Sequence, residues 1–295
     1  MFYIKNLVYL IIIIVDKIFH NKILKKKLKW EIYYTRTNWR NIGSKKFYKI
    51  ETPKYRWFAD PFVVKKKENN FIFLEDYNLK NKKGSISCVK VDKNNKKHFY
   101  YDIIQTNYHL SFPFIFQYKK KYYLIPETKS NNSVEIYKCN KFPHKWVFYK
   151  KIFNNIKAVD NIVFKFRKSW YLFNNESDTG RVFSKLIGYK SKNPINGKWK
   201  KLKKKVILNS NLYGRNAGLI NENKNIFRVS QSYLPGRYGA GIFVNKIHSI
   251  TETGYKEKTV KNIFPGYLDK IKGIHSLNSL HKFTVLDYSK WKKKV

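Results

Sequence analysis

The chain has 295 residues, of which 43% are apolar and 18% aromatic, and this composition excludes an intrinsically disordered protein. Its formal net charge is +43, but only eight of the 62 basic residues are arginine and the lysines are spread through the chain. Because Asn, Ile, Tyr and Phe are also abundant, an A/T-rich coding bias explains the excess, and we predict a lysine-covered surface rather than nucleic-acid binding.

The first 28 residues contain an uninterrupted apolar run of nine, which is too short for a membrane-spanning helix of about 20 residues. No small-residue cleavage site follows the run. Basic residues then alternate with Ile18, Phe19, Ile23 and Leu24. We predict that residues 1–28 form a short amphipathic helical segment on an anionic membrane surface. A helix packed on the protein itself and a signal anchor are the alternatives.

The two cysteines, Cys88 and Cys139, occur in no CxxC or Cys/His ligand spacing. The sequence therefore predicts neither a disulfide framework nor a metal site, and no cofactor motif such as GxGxxG is present. We expect a cytoplasmic protein, held peripherally at the inner face of the cytoplasmic membrane if the N-terminal segment binds lipid.

Beyond residue 28, short runs of Tyr, Phe, Ile and Val alternate with Lys/Asn/Gly turns, which is typical of antiparallel strands. A hairpin sequence recurs without gaps as "ADPFVVKKKENNFIFLEDY", "SFPFIFQYKKKYYLIPETK", "VDNIVFKFRKSWYLFNNES" and "RNAGLINENKNIFRVSQSY". The anchor position of each repeat lies 52, 48 and 56 residues after the one before it. The four anchors are Asp60, Phe112, Asp160 and Asn216, and fifteen residues after each come Glu75, Glu127, Asn175 and Gln231.

A third strand follows each hairpin, and a fourth follows in two of the units. Four strands in about 40–50 residues, repeated along the chain, are typical of the blades of a β-propeller. A weaker fifth unit spans residues 272–288, and the early strand 29–36 is placed to pair with it and close the ring. We predict an all-β fold, a five-bladed β-propeller over residues 29–295. A β-sandwich with accidental self-similarity is the alternative.

Antiparallel pairing brings the start of the first strand of each hairpin beside the end of the second. The repeat therefore predicts that acids and amides gather at one end of the central axis, where they form a binding site. Acids held close together split their pKa values, as glycoside chemistry requires. Taken singly, each of these residues is also explained as a turn residue or a solvated strand end.

Further candidates lie at the same end of the repeats. His109 precedes the second hairpin, and His275 begins the fifth unit. Arg215 carries a planar guanidinium suited to a carboxylate or phosphate, and the ring of Trp57 is suited to stacking on a sugar. A lone histidine is commonly structural, however, and most aromatic residues belong to the core.

Several of these motifs, among them "FADPF", "HLSFP", "YYLIPET" and "GIHSLN", resemble the N-terminal propeller domain of plant glucosamine inositolphosphorylceramide transferases and its free-standing bacterial relatives. The resemblance covers roughly residues 29–288. That domain is similar in turn to the furanosidase-like superfamily of arabinanases, xylosidases, invertases and mannoside phosphorylases. The resemblance implies a carbohydrate-active site at the propeller axis. It does not extend to the separate glycosyltransferase domain of the plant proteins.

The resemblance also implies roles for three acids. Asp60 matches the general base in the Ala-Asp-Pro motif of the arabinanase group. Asp160 matches the aspartate that orients the acid, although the proline after it is replaced. The Glu-Gly motif that supplies the acid in that group has no match here, and Glu127 is the substitute candidate.

We therefore expect a carbohydrate-active enzyme of cell-surface polysaccharide or glycolipid biosynthesis, transferring or cleaving a glycosyl unit of a glycan, sugar-phosphate or lipid-linked substrate. Asp60 is assigned as base or nucleophile, Glu127 as acid and Asp160 as the orienting residue. A non-catalytic glycan-binding or scaffolding propeller and a furanosidase-type hydrolase are the alternatives. The expected substrate-binding residues are Glu75, His109, Arg215, Gln231, His275 and Trp57.

Overall fold

The computed structural model of the chain describes residues 15, 18–43, 46–177, 180, 183–234, 237–265 and 272–293. Strands dominate these residues. A π-helical turn spans Phe19–Ile23, next to the helical residues Val15 and Ile18, and 3-10 turns span Trp39–Asn41 and Lys129–Asn131. The strands are β1 (Lys26–Thr35), β2 (Tyr48–Lys49), β3 (Arg56–Lys66), β4 (Asn69–Asn78), β5 (Lys83–Val91), β6 (Lys97–Ile104), β7 (Ser111–Tyr118), β8 (Lys121–Thr128), β9 (Ser133–Lys141), β10 (Lys145–Asn154), β11 (Val159–Phe166), β12 (Ser169–Glu176), β13 (Lys185–Ser191), β14 (Lys200–Lys201), β15 (Leu208–Asn209), β16 (Arg215–Glu222), β17 (Asn225–Leu234), β18 (Arg237–Ile250), β19 (Tyr255–Ile263), β20 (Gly273–Leu280) and β21 (Phe283–Lys293).

These strands form five antiparallel sheets, which are the blades of a propeller. Blade 1 is β3-β4-β5-β6, blade 2 is β7-β8-β9-β10, and blade 4 is β16-β17-β18-β19. Blade 3 is β11-β12-β13-β14, with β15 also pairing with β13. Blade 5 is β20-β21-β1-β2, so it combines both ends of the described chain. The prediction of an all-β, five-bladed propeller is confirmed.

The ring closes where β1 pairs with β21. The pairing runs over ten residue pairs, from Lys26 opposite Lys293 to Thr35 opposite Thr284. This ladder leaves neither strand with a free edge on that side. Of the predicted closing strand, residues 29–36, all but Arg36 lie within it, and β1 begins three residues earlier, at Lys26.

Most of the predicted N-terminal helical segment lies outside the described residues, which begin with residue 15 and then residues 18–43. Its described apolar side chains are exposed, at 49% for Ile18, 45% for Phe19 and 65% for Ile23. No helix among the described residues is long and apolar enough to cross a membrane. The assignment of residues 1–28 as a separate membrane-proximal segment stays a prediction.

Apolar side chains fill the spaces between neighbouring blades. Between blades 5 and 1, for example, Ile32 and Tyr34 of β1 pack with Phe58 of β3 and Ile72 of β4, and all four are fully buried. Burial of such side chains contributes roughly 1.5–3 kcal/mol each. The packing fixes each blade against the next, and it therefore fixes the positions of the first strands around the axis.

The first strand of every blade carries a β-bulge at the same place, which coincides with the repeat's anchor. Three of the bulged residues have positive φ angles, 51° at Asp60, 43° at Phe112 and 52° at Asp160. A bulge leaves residues out of the ladder and turns their side chains. The register shifts lie between Ala59 and Phe62, Ser111 and Phe114, Val159 and Ile162, Asn216 and Gly218, and Ile274 and Leu277.

The bulge of blade 4 generates a stability prediction. Gly218 has a φ of 144°, and a Cβ added there would lie 2.3 Å from the carbonyl oxygen of Leu277 in blade 5. Because both the backbone angle and the space exclude a side chain, we expect Gly218→Ala to lower the free energy of unfolding by at least about 1–3 kcal/mol. Urea unfolding followed by circular dichroism measures this change.

Gly254→Ala is the matched control, since its added Cβ would meet only the Thr251 hydroxyl, at 3.1 Å. Its effect should stay within about 0.5 kcal/mol. Equal unfolding midpoints for the two variants would contradict the proposed tight contact between blades 4 and 5.

Candidate active site

The site lies at the end of the axis where the first strand of each blade begins. At its centre His275 of blade 5 lies between two carboxylates. Its Nε2 is 3.0 Å from Oδ1 of Asp60, and its Nδ1 is 2.9 Å from Oδ1 of Asp287. All three residues are buried. Asp60 comes from the bulge of β3, so this cluster joins the first and last blades of the ring.

Asp287 lies opposite the bulge of its own blade and accepts hydrogen bonds from the amides that the bulge frees. Oδ1 accepts from the backbone N–H groups of His275 (3.2 Å) and Ser276 (2.9 Å). Oδ2 accepts from the Ser276 hydroxyl (3.0 Å) and from the backbone N–H of Asp60 (2.9 Å). Asp287 therefore sets the position of both His275 and Asp60.

Asp287 was not among the predicted site residues. The fifth hairpin is shorter than the others, so Tyr288 takes the register position of Glu75 at an offset of thirteen residues from the bulge rather than fifteen. Asp287 occupies the position before it, where blade 1 has Leu74. A single acid inside the apolar run "FTVLDY" was the available signal.

The electrostatics of this cluster favour an ionised base beside an imidazolium. Burial lowers the pKa of His275, but Asp287, Tyr238 and Asp60 outweigh burial, and the net pKa lies well above its ordinary value. Burial raises the pKa of Asp60, but His275, Arg215 and the Phe112 amide bring the net pKa below its ordinary value. Asp60 is therefore ionised at neutral pH and His275 is charged.

The ligand atoms of Asp60, His275 and Asp287 lie within 4.8 Å of one another, a spacing that a metal ion could use. In the structure His275 Nε2 lies 3.0 Å from Asp60, and Nδ1, although 2.9 Å from Asp287 Oδ1, is buried without a hydrogen-bond partner among the described residues. Asp287 already accepts four hydrogen bonds.

Two glutamates near this cluster have environments that favour the protonated form. Burial, followed by the charge of Asp160, raises the pKa of Glu127 to about 8, while Lys129, with Nζ 3.9 Å from Glu127 Oε1, opposes the shift. Burial and the charge of Asp60 raise the pKa of Glu75 well above its ordinary value. Both side chains are thus available as proton donors near neutral pH.

The buried Asp160 and the half-buried Arg215 form an ion pair between blades 3 and 4, with Arg215 Nε 2.5 Å from Asp160 Oδ2. Burial raises the pKa of Asp160, and Arg215 opposes that shift. The guanidinium carbon of Arg215 lies 5.2 Å from the ring centre of Tyr238 and 5.9 Å from that of Phe183. Arg215 is therefore held between a carboxylate and two aromatic rings at the edge of the site.

His109 faces Glu75 across the start of blade 2. Its Nδ1 accepts a hydrogen bond from the backbone N–H of Gly84 (2.9 Å), and its Nε2 lies 3.5 Å from Glu75 Oε1. Burial lowers the pKa of His109, so the ring is neutral and carries its proton on Nε2. That proton points toward Glu75.

Two of the expected substrate-binding residues lie further from the centre. Gln231 is buried and donates from Nε2 to the carbonyl oxygen of Asn216 (3.1 Å). Trp57 stacks on Tyr77 with ring centres 4.8 Å apart, and Tyr77 in turn lies 5.9 Å from the ring of His109. Sugar binding by these two side chains stays a prediction.

Two aromatic residues that were not among the predicted site residues cover His275. The ring of Trp30, from β1, is centred 4.0 Å from His275, and that of Tyr238, from β18, is 5.1 Å away. Tyr238 is 39% exposed, and it therefore offers a ring face at the mouth of the site. The next residue, Gly239, has a φ of 66°, and a Cβ there would lie 3.0 Å from Trp30. The glycines around Tyr238 were the feature of the sequence that could have pointed to it.

The arrangement thus places an ionised Asp60 and a protonated Glu127, both buried, at the same end of the axis, with the part-exposed ring of Tyr238 beside His275. A carboxylate with a lowered pKa can accept a proton or attack, and a carboxyl with a raised pKa can donate one. This division of roles is what the making or breaking of a glycosidic bond requires.

Comparisons with known proteins place the chain in a family. Residues 46–292 match the family model described as "Glucosamine inositolphosphorylceramide transferase 1, N-terminal". The chain is 27% identical over 208 residues to glucosamine inositolphosphorylceramide transferase 1 of Oryza sativa subsp. japonica, covering 68% of this chain and 28% of that protein. The protein of the same name from Arabidopsis thaliana is 27% identical over 209 residues, covering 69% and 27%. The chain thus spans under a third of the length of these relatives.

Solved structures show the same fold at low identity. The catalytic domain of a GH62 α-L-arabinofuranosidase from Coprinopsis cinerea aligns with a TM-score of 0.57 at 12% identity, covering 88% of this chain and 97% of that one. An exo-1,5-α-L-arabinanase from a bovine ruminal metagenomic library aligns with a TM-score of 0.53 at 11% identity, covering 83% and 100%. Since the family model matches most of the sequence, the chain belongs to the family of glucosamine inositolphosphorylceramide transferase N-terminal domains.

Proposed function

We propose that the protein is a carbohydrate-active enzyme that transfers or cleaves a glycosyl unit at the mouth of the propeller axis. The observation that carries this proposal is the opposite displacement of two pKa values in one site. The pKa of Asp60 is lowered, and that of Glu127 is raised to about 8. Asp60 is the base or nucleophile and Glu127 is the proton donor to the departing oxygen.

The remaining charged groups hold these two in place. Asp287 and His275 fix Asp60 and keep it ionised. Asp160 fixes Arg215, and the negative charge of Asp160 helps to keep Glu127 protonated. Tyr238 and Arg215 offer a ring face and hydrogen-bond donors to a sugar.

The family supports a substrate class. Its plant members are named glucosamine inositolphosphorylceramide transferases, which supports a glycolipid or other surface-glycan substrate for this chain. The fold shared with arabinofuranosidase and arabinanase structures supports a site that holds a sugar at the propeller axis.

A non-catalytic glycan-binding propeller is the second candidate, and one contact favours it. His275 Nε2 lies 3.0 Å from Asp60 Oδ1, so one oxygen of the base is already engaged by a cation. Asp60 Oδ2 accepts from the backbone N–H of Phe112 at 3.2 Å. A carboxylate engaged in this way is a weaker base than a free one.

We further propose that the protein works in the cytoplasm, attached peripherally to the inner face of the membrane. The exposed apolar side chains of Ile18, Phe19 and Ile23 support such attachment, as does the net charge of +43.

Replacing Asp60 by asparagine distinguishes the two candidate functions. If Asp60 is base or nucleophile, Asp60→Asn should lose about 10²–10⁴-fold in turnover while glycan binding is kept, because only the proton-accepting group is removed. Turnover is measured as sugar released from a glycan panel and as product formed from activated sugar donors, and binding by calorimetry with the same glycans.

Asp92→Asn is the matched control, because Asp92 lies in the turn after β5, at the opposite end of the blade. Its Oδ1 accepts hydrogen bonds from the backbone N–H groups of Asn94 and Lys96, and the side-chain oxygen of asparagine can accept the same bonds. Thermal unfolding verifies that both variants fold. Turnover that survives Asp60→Asn rules out the catalytic role, and glycan binding without any turnover by the unaltered protein supports the binding module.

The raised pKa of Glu127 predicts the pH dependence of the reaction. The acid form of Glu127 is lost as the pH rises through about 8, so the rate should fall above that pH. Glu127→Gln should lower the rate at neutral pH and abolish the alkaline decline. The kcat/KM of both proteins is measured from pH 5 to 10, with Glu68→Gln, in the exposed turn between β3 and β4, as control. An unchanged alkaline limb in Glu127→Gln would assign the proton to another group.

Membrane attachment is tested by deleting residues 1–25, which leaves β1 intact. Binding to vesicles of anionic phospholipid should be lost, because the exposed apolar side chains are removed. The deletion takes away four lysines and one aspartate, and the control Lys203→Gln, Lys204→Gln, Lys205→Gln removes the same net charge. Equal loss in the two proteins, measured by vesicle sedimentation, would assign binding to the general lysine charge.

A further inference from the structure

A cavity of about 660 Å³ opens near Glu127 at the same end of the propeller, with Lys129 in its lining. It lies beside the turns that connect β8 to β9 and β10 to β11 and beside Ser177, Gly180 and Phe183, the described lining residues that follow β12. None of its described lining residues is acidic. They are Lys129, Ser130, Asn132, Lys157, Ser177, Gly180 and Phe183.

The lining places cations around a single aromatic ring. Lys129 Nζ lies 4.9 Å from the ring centre of Phe183, and the Arg215 guanidinium carbon lies 5.9 Å from the same ring. Lys157 is exposed and forms no ion pair with a described residue. Lys129 and Arg215 thus both lie against the ring of Phe183, and Lys157 adds another positive charge to the lining of the cavity.

The cavity also offers neutral donors. The hydroxyl oxygen of Ser177 is buried and finds no hydrogen-bond partner among the described residues. Ser130 and Asn132 add a hydroxyl and an amide to the lining. Lysines together with hydroxyl and amide donors match the several acceptor oxygens of a phosphate group.

We propose that this cavity binds a phosphate group of the substrate, so that the sugar substrate is an activated one, a glycosyl phosphate or diphosphate. The reaction in this inference rests on the proposed function, whereas the binding of a phosphate group does not. A glycoside hydrolase acting on a neutral glycan would have no use for such a cavity. Lys129 connects the two sites, because its Nζ lies 3.9 Å from Glu127 Oε1.

The reaction needs only the activated sugar and an acceptor hydroxyl. The bond between the sugar carbon and the phosphate oxygen breaks, and the departing phosphate oxygen takes the proton of Glu127 or leaves as the anion that the lysines neutralise. An acceptor hydroxyl loses its proton to Asp60 and forms the new bond to the sugar carbon. The products are the glycosylated acceptor and the free phosphate or diphosphate.

The test measures binding of inorganic pyrophosphate to the full chain by calorimetry, without turnover. The unaltered protein should bind saturably at one site, and Lys129→Gln combined with Lys157→Gln should bind at least tenfold more weakly. Lys203→Gln combined with Lys204→Gln is the matched control, since it removes the same charge from the other end of the propeller, where the Lys204 amide bonds to the turn between β18 and β19. Thermal unfolding verifies that each variant folds.

Equal weakening by the two double variants would show a general charge effect and overturn the proposal, as would binding that does not saturate. Uridine diphosphate and farnesyl diphosphate then distinguish a soluble nucleotide donor from a lipid-linked one. The compound that resembles the natural donor should bind more tightly than pyrophosphate. If the Lys129 and Lys157 double variant no longer binds pyrophosphate but keeps the turnover that depends on Asp60, the reaction does not use this site. That result rejects the phosphate site and leaves the proposed reaction standing. Pyrophosphate binding without Asp60-dependent turnover rejects only the proposed reaction.

Discussion

The carboxylate of Asp287 holds together the point at which the ring of blades closes. It accepts hydrogen bonds from the amides of His275 and Ser276 in blade 5 and from that of Asp60 in blade 1, 227 residues away along the chain. A buried carboxylate without partners would cost several kcal/mol, so its four donors and the His275 imidazolium are a condition for closure. Since the β1–β21 ladder completes the same blade and brings Trp30 onto His275, closing the ring and assembling the site are one event.

The repeated bulge explains why polar contacts run around the axis from blade to blade. Each bulge frees backbone groups, and a side chain of a neighbouring blade satisfies several of them. Asp60 accepts from the amide of Phe112 in blade 2, and Asn175 of blade 3 accepts from the amide of Asn216 in blade 4. Residues with positive φ other than glycine cost of order 1–3 kcal/mol each, and such contacts keep Asp60 and Phe112 in that conformation. The strained positions are those that turn functional side chains toward the axis.

The sequence was sufficient to predict the blades because the spacing of fifteen residues between Asp60 and Glu75, repeated three more times, fixes a hairpin and its register. The same spacing predicted which acids share one end of the axis. It did not predict the bulges, since Ala59 rather than Asp60 pairs with Glu75, and a pattern of residue types does not show a positive φ angle. Asp287 and Tyr238 were missed because their importance depends on contacts with His275, which the fold alone brings to them. The pKa values depend on burial, which a sequence does not measure.

The charge of the axis is opposite to that of the surface. The chain carries a net charge of +43, yet its centre holds Asp60, Glu75, Glu127, Asp160 and Asp287 against Arg215 and His275. Five ionised carboxylates in such a space would repel one another strongly, and protonation of the two glutamates relieves that repulsion. The remaining negative charge repels an anion from the centre, while Lys129 and Lys157 attract one to the cavity beside it. This difference in charge supports the proposal that a neutral ring binds over the axis and an anionic tail binds at the edge.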